Sequence, residues 1–377
     1  MRGTKCSGWL VLFLLLFGTS LNLSAQSWSF TGSLRQARSS FSATLLNNGQ
    51  VLVVGGTYRG SFVQYGLTSA ELYNPASGTF STTGSLNTGR YGQSATLLNS
   101  GKVLIAGGAN SSTGALSSAE LYDPTTGTFT VTGSLSCACG YSATLLANGT
   151  VLFTGGFDGT NAVSTAELYD PASGTFVPTG SLKVARAGPS STLLGNGKVL
   201  VAGGVYYTGV IPYTAVAHYI ASAELYDPAT GTFTLTGSLH TARTSETATL
   251  LKNGSVLLAG GQNSGPNAGY LSSAELYNPA TGKFTVTGSL NTPRILHRAH
   301  LLSSGQVLIV AGNHFGSIAS AELYDPTSGT FSNVASLNTP RQGHASALLT
   351  NGQVLAVGGY ESQLGKQGWL ASAELFH

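Results

Sequence analysis

Ser118-Ala119-Glu120-Leu121-Tyr122-Asp123-Pro124 is the stretch of sequence that decides the fold, because close copies of it recur along the chain. Ala-Glu-Leu-Tyr, with Phe for Tyr in the last copy, is found seven times at a spacing of 47 to 57 residues. An apolar run that ends in small residues, usually Gly-Gly, lies upstream of every copy. Such a period is the signature of a repeat architecture. The motif glutamates are Glu71, Glu120, Glu167, Glu224, Glu275, Glu322 and Glu374.

Four strand signals follow one another within a unit, as the second copy illustrates. Residues 94–98 and 103–106 are two strands joined by a turn, where sister units carry Asn-Gly. Residues 119–122 are the third strand, and Asp123-Pro124 begins the turn into a fourth strand over residues 128–132. Because every connection is a hairpin or a short loop, we predict an antiparallel sheet.

The composition agrees with an all-β chain. Among 377 residues there are 51 glycines and only 8% charged side chains, which fits many short strands joined by turns better than helices. A four-stranded sheet cannot bury both of its faces alone. Stacking the copies side by side buries them, and closing the stack into a ring limits the exposed sheet edges.

The unit resembles the kelch repeat in its order of apolar-Gly-Gly, Glu-Leu-Tyr-Asp-Pro, Gly-Thr-Phe and Arg, and the resemblance covers residues 28–376. It implies one propeller blade for each unit. The chain departs from the usual kelch pattern at one aromatic position of the unit, where it has Phe and many kelch repeats have Trp. The residues at this position are Phe80, Phe129, Phe176, Phe233, Phe284 and Phe331.

The two ends of the repeat array predict how the ring closes. The last copy stops at its third strand, over residues 373–376, whereas residues 28–34 resemble an isolated fourth strand. We therefore predict an all-β fold, a seven-bladed β-propeller of four-stranded antiparallel blades, in which the N-terminal strand joins the C-terminal blade.

The first residues resemble a secretory signal peptide. Arg2 and Lys5 precede an apolar run over residues 9–17, and small residues at 24 and 25 suit cleavage. Read as a membrane anchor, this run is short for a bilayer. We predict a signal peptide at 1–25, a single propeller at 26–377, no membrane span after cleavage, and a secreted or periplasmic location.

The charge balance offers no case for nucleic acid as a partner. Removing Arg2 and Lys5 from the 17 basic residues leaves 15 against 14 acidic ones, without a basic cluster. We expect a monomer whose partner is a protein or a carbohydrate.

An arginine precedes the first strand in six units, and two hypotheses explain it. The guanidinium groups either ring one mouth of the central channel and bind carboxylates or sugars, or they pair with the motif glutamates. The third unit has Cys137-Ala138-Cys139 there but keeps Glu167, which makes it the natural test. The two cysteines are either free thiols or a strained bridge. The arginines are Arg38, Arg90, Arg186, Arg243, Arg294 and Arg341.

The loops between second and third strands are expected to share a face with the arginine loops, while the other face carries only tight turns. These longer loops are rich in aromatic residues, which either bind a sugar or protein or pack on their own blades. Besides the six arginines, the predicted binding residues are Tyr206, Tyr207, Tyr213, Tyr219 and Trp369.

Three histidines lie near one predicted mouth. His297 and His344 each follow a repeat arginine by three residues, and His300 is close to His297. They fit either a metal site or a variant of the repeat, and we predict the variant, with no metal and no cofactor.

For function we predict an exported, non-catalytic binding or scaffold propeller that recognises a glycan or a protein through the loop face, and we assign no catalytic residue. The alternative is a carbohydrate-active or oxidase-type propeller enzyme with its site at the channel mouth. The fold is similar to the central domain of galactose-oxidase-like copper radical enzymes. That similarity implies a site of Tyr and His ligands, and His218-Tyr219 are the sole adjacent Tyr and His here.

Overall fold

A computed structural model describes residues 26–60, 63–112, 114–138, 142–209, 215–264, 269–363 and 365–377. Strand β1 (Trp28–Phe30) precedes the first unit. The first unit contains β2 (Ser42–Leu45), β3 (Val51–Val54), β4 (Thr57–Gly60), β5 (Val63–Gly66), β6 (Ala70–Asn74) and β7 (Thr79–Thr82). The second contains β8 (Ser94–Leu97), β9 (Val103–Ala106), β10 (Ala109–Asn110), β11 (Gly114–Ala115), β12 (Ser118–Asp123) and β13 (Thr128–Ser134). The third contains β14 (Ser142–Leu145), β15 (Val151–Thr154), β16 (Ala166–Asp170) and β17 (Thr175–Pro178).

The remaining four units continue the pattern. The fourth contains β18 (Ser190–Leu193), β19 (Val199–Ala202), β20 (Val205–Thr208), β21 (Val216–Tyr219), β22 (Ser222–Asp227) and β23 (Thr232–Ser238). The fifth contains β24 (Thr247–Leu250), β25 (Val256–Ala259), β26 (Ala274–Asn278) and β27 (Lys283–Val286). The sixth contains β28 (Arg298–Leu301), β29 (Val307–Asn313), β30 (Ser317–Asp325) and β31 (Thr330–Val334). The seventh contains β32 (Ala345–Leu348), β33 (Val354–Val357), β34 (Tyr360–Gln363), β35 (Lys366–Trp369) and β36 (Ala373–Phe376).

These strands form seven four-stranded antiparallel sheets, which confirms the predicted seven-bladed propeller. In the last blade the strand order is β1-β36-β33-β32, so the N-terminal strand supplies the fourth strand. Trp28 pairs with Phe376 and Phe30 with Glu374 in antiparallel register. The ring therefore closes by pairing of the two ends, as the repeat boundaries predicted.

The hydrophobic core lies between blades. Every residue of the second strand is buried in six blades, as in β3 and β9, and in the sixth blade only Asn313 at the end of β29 is not. Each of the seven core clusters combines residues from two neighbouring blades. One cluster, for example, joins Val54 of the first blade to Ile105 of the second. A blade thus buries its faces only against its neighbours, which is the energetic reason for a closed ring.

The motif tyrosine ties each of six blades to the blade before it. Its ring is fully buried against the repeat phenylalanine of its own blade, as Tyr324 is against Phe331 at 4.8 Å between ring centroids. Its hydroxyl lies 2.9 to 3.0 Å from a threonine hydroxyl of the preceding blade. The pairs are Thr31 with Tyr73, Thr83 with Tyr122, Thr132 with Tyr169, Thr179 with Tyr226, Thr236 with Tyr277, and Thr287 with Tyr324.

A glycine after the fourth strand allows a second contact between blades. Gly288 N donates to Gly329 O of the next blade, and a Cβ atom at Gly288 would lie 2.4 Å from that oxygen. The sixth blade has Ala335 at this position. The seventh blade receives its fourth strand from the N-terminus and so has no turn of this kind against which the Ala335 methyl group could clash.

The predicted signal peptide, residues 1–25, lies outside the described residues. Within the described residues no helix is long and apolar enough to cross a lipid bilayer.

Candidate functional site

The six repeat arginines are buried inside the blades. Their side chains have no solvent exposure, and in the first blade Arg38 Nη2 lies 3.0 Å from Glu71 Oε1. Arg38 Nη1 donates to the carbonyl oxygens of Gly55 and Ser69. The equivalent Nη2 to Oε1 distances are 2.5 to 3.1 Å for Arg90 with Glu120, Arg186 with Glu224, Arg243 with Glu275, Arg294 with Glu322, and Arg341 with Glu374.

In the first blade this arrangement uses every donor of the Arg38 guanidinium group. Arg38 Nε donates to Gln36 O, and Nη2 also donates to Ser69 Oγ. A guanidinium group has five N–H donors, so none is left for a ligand. The structure thereby corrects the hypothesis that the arginines ring the channel mouth as binding residues. The alternative hypothesis, pairing with the motif glutamates, describes their environment.

The motif glutamate also anchors the loop that carries the arginine. Glu275 accepts hydrogen bonds from the backbone N–H groups of His240 and Thr241 in addition to Arg243. Burial alone would raise the pKa of Glu275, but these donors outweigh it and the pKa is lowered. Burial lowers the pKa of Arg243, and the Glu275 charge only partly opposes this. The pair thus fixes the loop between the fourth and first strands on its own blade.

The third blade supports its glutamate differently. Ser136 donates to Glu167 through its backbone N–H and its hydroxyl group, the latter at 2.8 Å. Cys137, which follows, is disulfide-bonded. Cys139 lies outside the described residues. Loop hydrogen bonds to the glutamate are therefore retained in the unit that lacks the arginine.

The loops between second and third strands share a face with the arginine loops, as predicted. Backbone bridges join the residue after each repeat arginine to the start of the neighbouring loop, as between Ala187 and Val205 and between Gln342 and Tyr360. In four blades this loop is itself a small hairpin, formed by β4 with β5, β10 with β11, β20 with β21, and β34 with β35. We call this side of the ring the loop face.

The hairpin of the fourth blade forms one wall of a cleft of about 470 Å³ on the loop face. Tyr206, His218 and Tyr219 of the fourth blade and Asn263 and Ser264 of the fifth blade line this cleft. Tyr206 pairs with His218 whereas Tyr219 pairs with Val205, so the Tyr219 side chain is on the other side of the hairpin from the Tyr206 and His218 rings. The Tyr206 and His218 rings are stacked, with centroids 4.8 Å apart and planes 13° from parallel. The cleft also includes Ala217 and Ala242. Two predicted binding residues, Tyr206 and Tyr219, therefore line the same cleft.

The other predicted aromatic residues are placed differently. Tyr207 packs edge-on against Phe157 at 5.7 Å between centroids. Trp369 is half-buried between Tyr58 and Tyr360, at 5.9 and 4.9 Å. Tyr213 lies outside the described residues. Tyr207 and Trp369 therefore pack on rings of neighbouring blades, Phe157 of the third and Tyr58 of the first, which differs from the packing on their own blades that was the alternative to ligand binding. Trp369 also packs on its own blade, through Tyr360.

The central channel is bordered by the first strand of each blade. These seven strands, β2, β8, β14, β18, β24, β28 and β32, contact one another in sequence around the ring. Most of their residues are only half-buried, in contrast to the fully buried second strands. Serine or threonine occupies both the first and third positions of this strand in five blades, and the sixth blade has Arg298 and His300 there. Sequence reasoning did not single out Arg298, although its departure from the repeat was a visible signal.

Two of the three histidines near the mouth make side-chain hydrogen bonds, each to a different blade, whereas neither ring nitrogen of His344 has a partner among the described residues. His297 Nε2 lies 3.0 Å from Thr247 Oγ1, and His300 Nε2 lies 2.6 Å from Ser346 Oγ. Burial, followed by the Arg298 charge, lowers the pKa of His300 to about 4. Burial, followed by the charges of Arg294 and Arg298, lowers that of His297 to about 3. Burial likewise lowers the pKa of His344 well below its ordinary value. All three imidazoles are neutral at neutral pH.

Glu246 is the second residue that sequence reasoning missed. It is one of only two glutamates outside the motif. A Cβ atom at Gly203 would lie 2.8 Å from its Oε1, so the carboxyl group fills the gap between the fourth and fifth blades. Both oxygens are buried, and neither makes a hydrogen bond of ordinary geometry with the described residues. Burial outweighs nearby Ser190 and Arg243 and raises the pKa of Glu246 to about 7.

Taken together, the chain is a seven-bladed β-propeller with an aromatic cleft on the loop face. No family model matches the chain, and no curated protein matches it. Among solved structures it is similar to a fungal alcohol oxidase of the AA5 family in complex with copper, with a TM-score of 0.73 and 17% identity over 93% of this chain and 76% of that one.

This similarity corrects the functional prediction. The structural neighbour is an enzyme, so the comparison goes against a non-catalytic binding or scaffold propeller and towards the alternative, a carbohydrate-active or oxidase-type propeller enzyme. At this level of identity the likeness establishes the fold, and activity has to be argued from the residues of this chain.

Copper does not fit the part of the chain that the structure describes. No group of three His, Cys, Asp or Glu side chains comes together there in a way that could hold a metal ion. In the aromatic cleft His218 is the sole described histidine, and its Nε2 lies 2.8 Å from Thr208 Oγ1. No step of a reaction is therefore derived through copper.

Proposed function

We propose that the chain is an exported, kelch-type propeller enzyme that acts on a carbohydrate substrate bound in the cleft between the fourth and fifth blades. The observation that carries this proposal is the stacked pair of Tyr206 and His218 rings in a cleft that Asn263 and Ser264 also line. Aromatic faces pack on the apolar faces of sugar rings, and amide and hydroxyl groups bond to sugar hydroxyls.

The chemistry that this cleft supports is proton transfer. Histidine is the side chain most often used as a general acid or base, and His218 provides the imidazole among the described residues of the cleft. Stacking on Tyr206 fixes the plane of the ring, and Thr208 bonds to Nε2. A sugar packed along this wall would present a hydroxyl group or ring hydrogen to an imidazole of fixed orientation.

The assignment to the kelch class and the export of the protein belong to this same proposal. The kelch resemblance is supported by the repeat motif and by the seven blades that it predicted. Export is supported by the basic, apolar and small-residue pattern of residues 1–25.

The test is an activity screen of the purified protein on neutral and acidic oligosaccharides and on simple alcohols. Release of reducing ends, formation of unsaturated products and production of hydrogen peroxide are each measured, with added copper and with a chelator. We expect chelator-resistant cleavage or elimination of a carbohydrate. His218→Gln should lower kcat at least 100-fold, in the range of a lost general acid or base. Tyr206→Ala should raise KM roughly tenfold through lost stacking.

Tyr65→Ala is the matched control, because Tyr65 is an exposed aromatic residue of the first blade's hairpin. It should leave kcat and KM unchanged. Turnover of no substrate under any condition would overturn the proposal, as would activity that His218→Gln leaves intact. Peroxide formation that requires copper would replace it with an oxidase.

A further inference from the structure

Arg298 is a cation in the central channel for which the protein provides no carboxylate. All 14 acidic residues fall in the described ranges, so their positions can be compared with that of Arg298. Six motif glutamates pair with the repeat arginines. Glu167 is bonded by Ser136, and Glu246 lies between the fourth and fifth blades. None of the acidic side chains forms an ion pair with Arg298.

The pKa of Arg298 agrees with this absence. Burial lowers it, and no acidic group opposes the effect, whereas in each repeat arginine the partner glutamate does. A buried cation without a counter-charge is costly, so a protein usually pairs it. The repeat itself offers serine or threonine at this position, so the arginine is not required by the blade.

Neighbouring residues orient the Arg298 guanidinium group but leave its terminal N–H groups without hydrogen bonds. Arg298 Nε donates to the carbonyl oxygen of His344 at 3.0 Å. Its two terminal nitrogens make no hydrogen bond with the described residues, and both keep some contact with solvent. The side chain is half-buried at the start of the channel-lining strand β28. Two N–H edges of the fork are therefore available from the channel.

We propose that Arg298 forms the anchor of an anion site in the central channel that binds the carboxylate of a small polar molecule such as a sugar acid. A guanidinium fork matches a carboxylate in a bidentate manner. His300 lies two residues further along β28 and therefore on the same side, with Ser346 of the seventh blade bonded to its Nε2. Hydroxyl groups at the equivalent positions of the first five blades continue the polar lining.

The Arg298 site is separate from the cleft of the fourth blade. It lies at the inner edge of the sixth blade, where that blade faces the seventh. The His300 imidazole, neutral at neutral pH, adds a hydrogen-bonding group without a second charge, so a single negative charge is the expected complement.

The experiment is calorimetric titration of the purified protein with D-glucuronate and with D-glucose, which differ by the carboxylate. We expect glucuronate to bind and glucose to bind at least tenfold more weakly. Arg298→Met should abolish the difference, and Arg298→Lys should retain part of it, since a lysine keeps the charge but not the fork. Lys252→Met is the control, because Lys252 is an exposed cation in a tight turn away from the channel.

A second variant keeps the test decisive if Arg298→Met does not fold. Ser346→Asp would place a carboxylate beside His300 and Arg298, and this internal anion should exclude glucuronate while the circular dichroism spectrum stays that of the wild type. Three results would each overturn the proposal: equal binding of the two sugars, glucuronate binding that survives both Arg298→Met and Ser346→Asp, or loss of binding in Lys252→Met to the same extent.

Discussion

The hydroxyl groups of Thr287 and Tyr324 lie 2.9 Å apart and join the fifth blade to the sixth. Thr287 also donates to Gly329 O in the same turn. The bond recurs at six boundaries, and at the seventh both partners are replaced together, by Val334 and Phe376. Replacing both members of a buried polar pair by apolar groups avoids the desolvation penalty that follows when one member is left alone.

Tyr324→Phe should therefore lower the free energy of unfolding by about 1 kcal/mol, because the threonine hydroxyl loses its buried partner. The double variant Thr287→Val, Tyr324→Phe reproduces the natural pair of the last boundary. We expect it to be no less stable than Tyr324→Phe alone, as measured by urea unfolding. A double variant whose loss equals or exceeds the sum of the two single losses would show that the hydroxyl pair is not the coupled unit.

Glu275→Ala should be strongly destabilising, by about 3 to 5 kcal/mol, because it leaves the fully buried Arg243 without its carboxylate. Lys198→Ala is the comparison, since the Lys198 ion pair with Asp227 is exposed, with relative side-chain accessibilities of 40% and 29%. That variant should leave the midpoint of thermal unfolding unchanged. Similar shifts in the two variants would argue against burial as the source of the effect.

Glu246 predicts a pH dependence of stability with a defined sign. Its pKa is about 7 in the folded protein and about 4.5 when exposed in the unfolded chain. Between these values the unfolded state releases a proton that the folded state keeps, so stability falls as the pH rises from about 4.5 to 7. At roughly 1.4 kcal/mol per pKa unit the loss is about 3 kcal/mol.

Glu246→Gln should remove this slope. We expect the variant to be more stable than the wild type at pH 8 and equal to it at pH 4, measured as unfolding midpoints in urea. Glu361→Gln, the other glutamate outside the motif, should leave the slope in place. A wild-type protein whose stability does not fall between pH 4.5 and 7 would contradict the raised pKa.

Gly288→Ala should destabilise the fold, because the new methyl group would meet Gly329 O at 2.4 Å and push two blades apart. We expect a loss of about 1 to 3 kcal/mol, typical of overpacking. Ala335→Gly, at the same repeat position, should change stability by less than about 1 kcal/mol, since only the backbone entropy of glycine opposes it. Equal effects of the two changes would mean that the contact with the next turn is unimportant.

Much of the fold was predictable because each unit repeats the same strand and turn motifs. The Ala-Glu-Leu-Tyr spacing predicted seven blades, and the unpaired segment over residues 28–34 predicted the closure that β1 and β36 make. Turn chemistry and strand order also predicted that the arginine loops and the longer loops share a face.

The site was less predictable, because side-chain partners depend on distances that the sequence does not contain. Repetition of Arg38 and its equivalents was compatible with a ligand ring or with internal pairing, and only the contact with Glu71 separates the two. The residues that the units share do not point to Glu246 or Arg298. Each occupies a repeat position with a residue that its sister units lack there, and such departures were the better signal for unusual chemistry.

The pairing of Trp28 with Phe376 also sets an order on folding during synthesis. β1 leaves the ribosome first, yet the strand that it pairs with is made last, so β1 has no sheet to join while the intervening blades form. The first six blades contain all four of their strands in one continuous segment and need not wait. Closure of the last blade is thus expected to be the final and slowest event, and a chain interrupted late in translation would keep an open ring with two exposed blade faces.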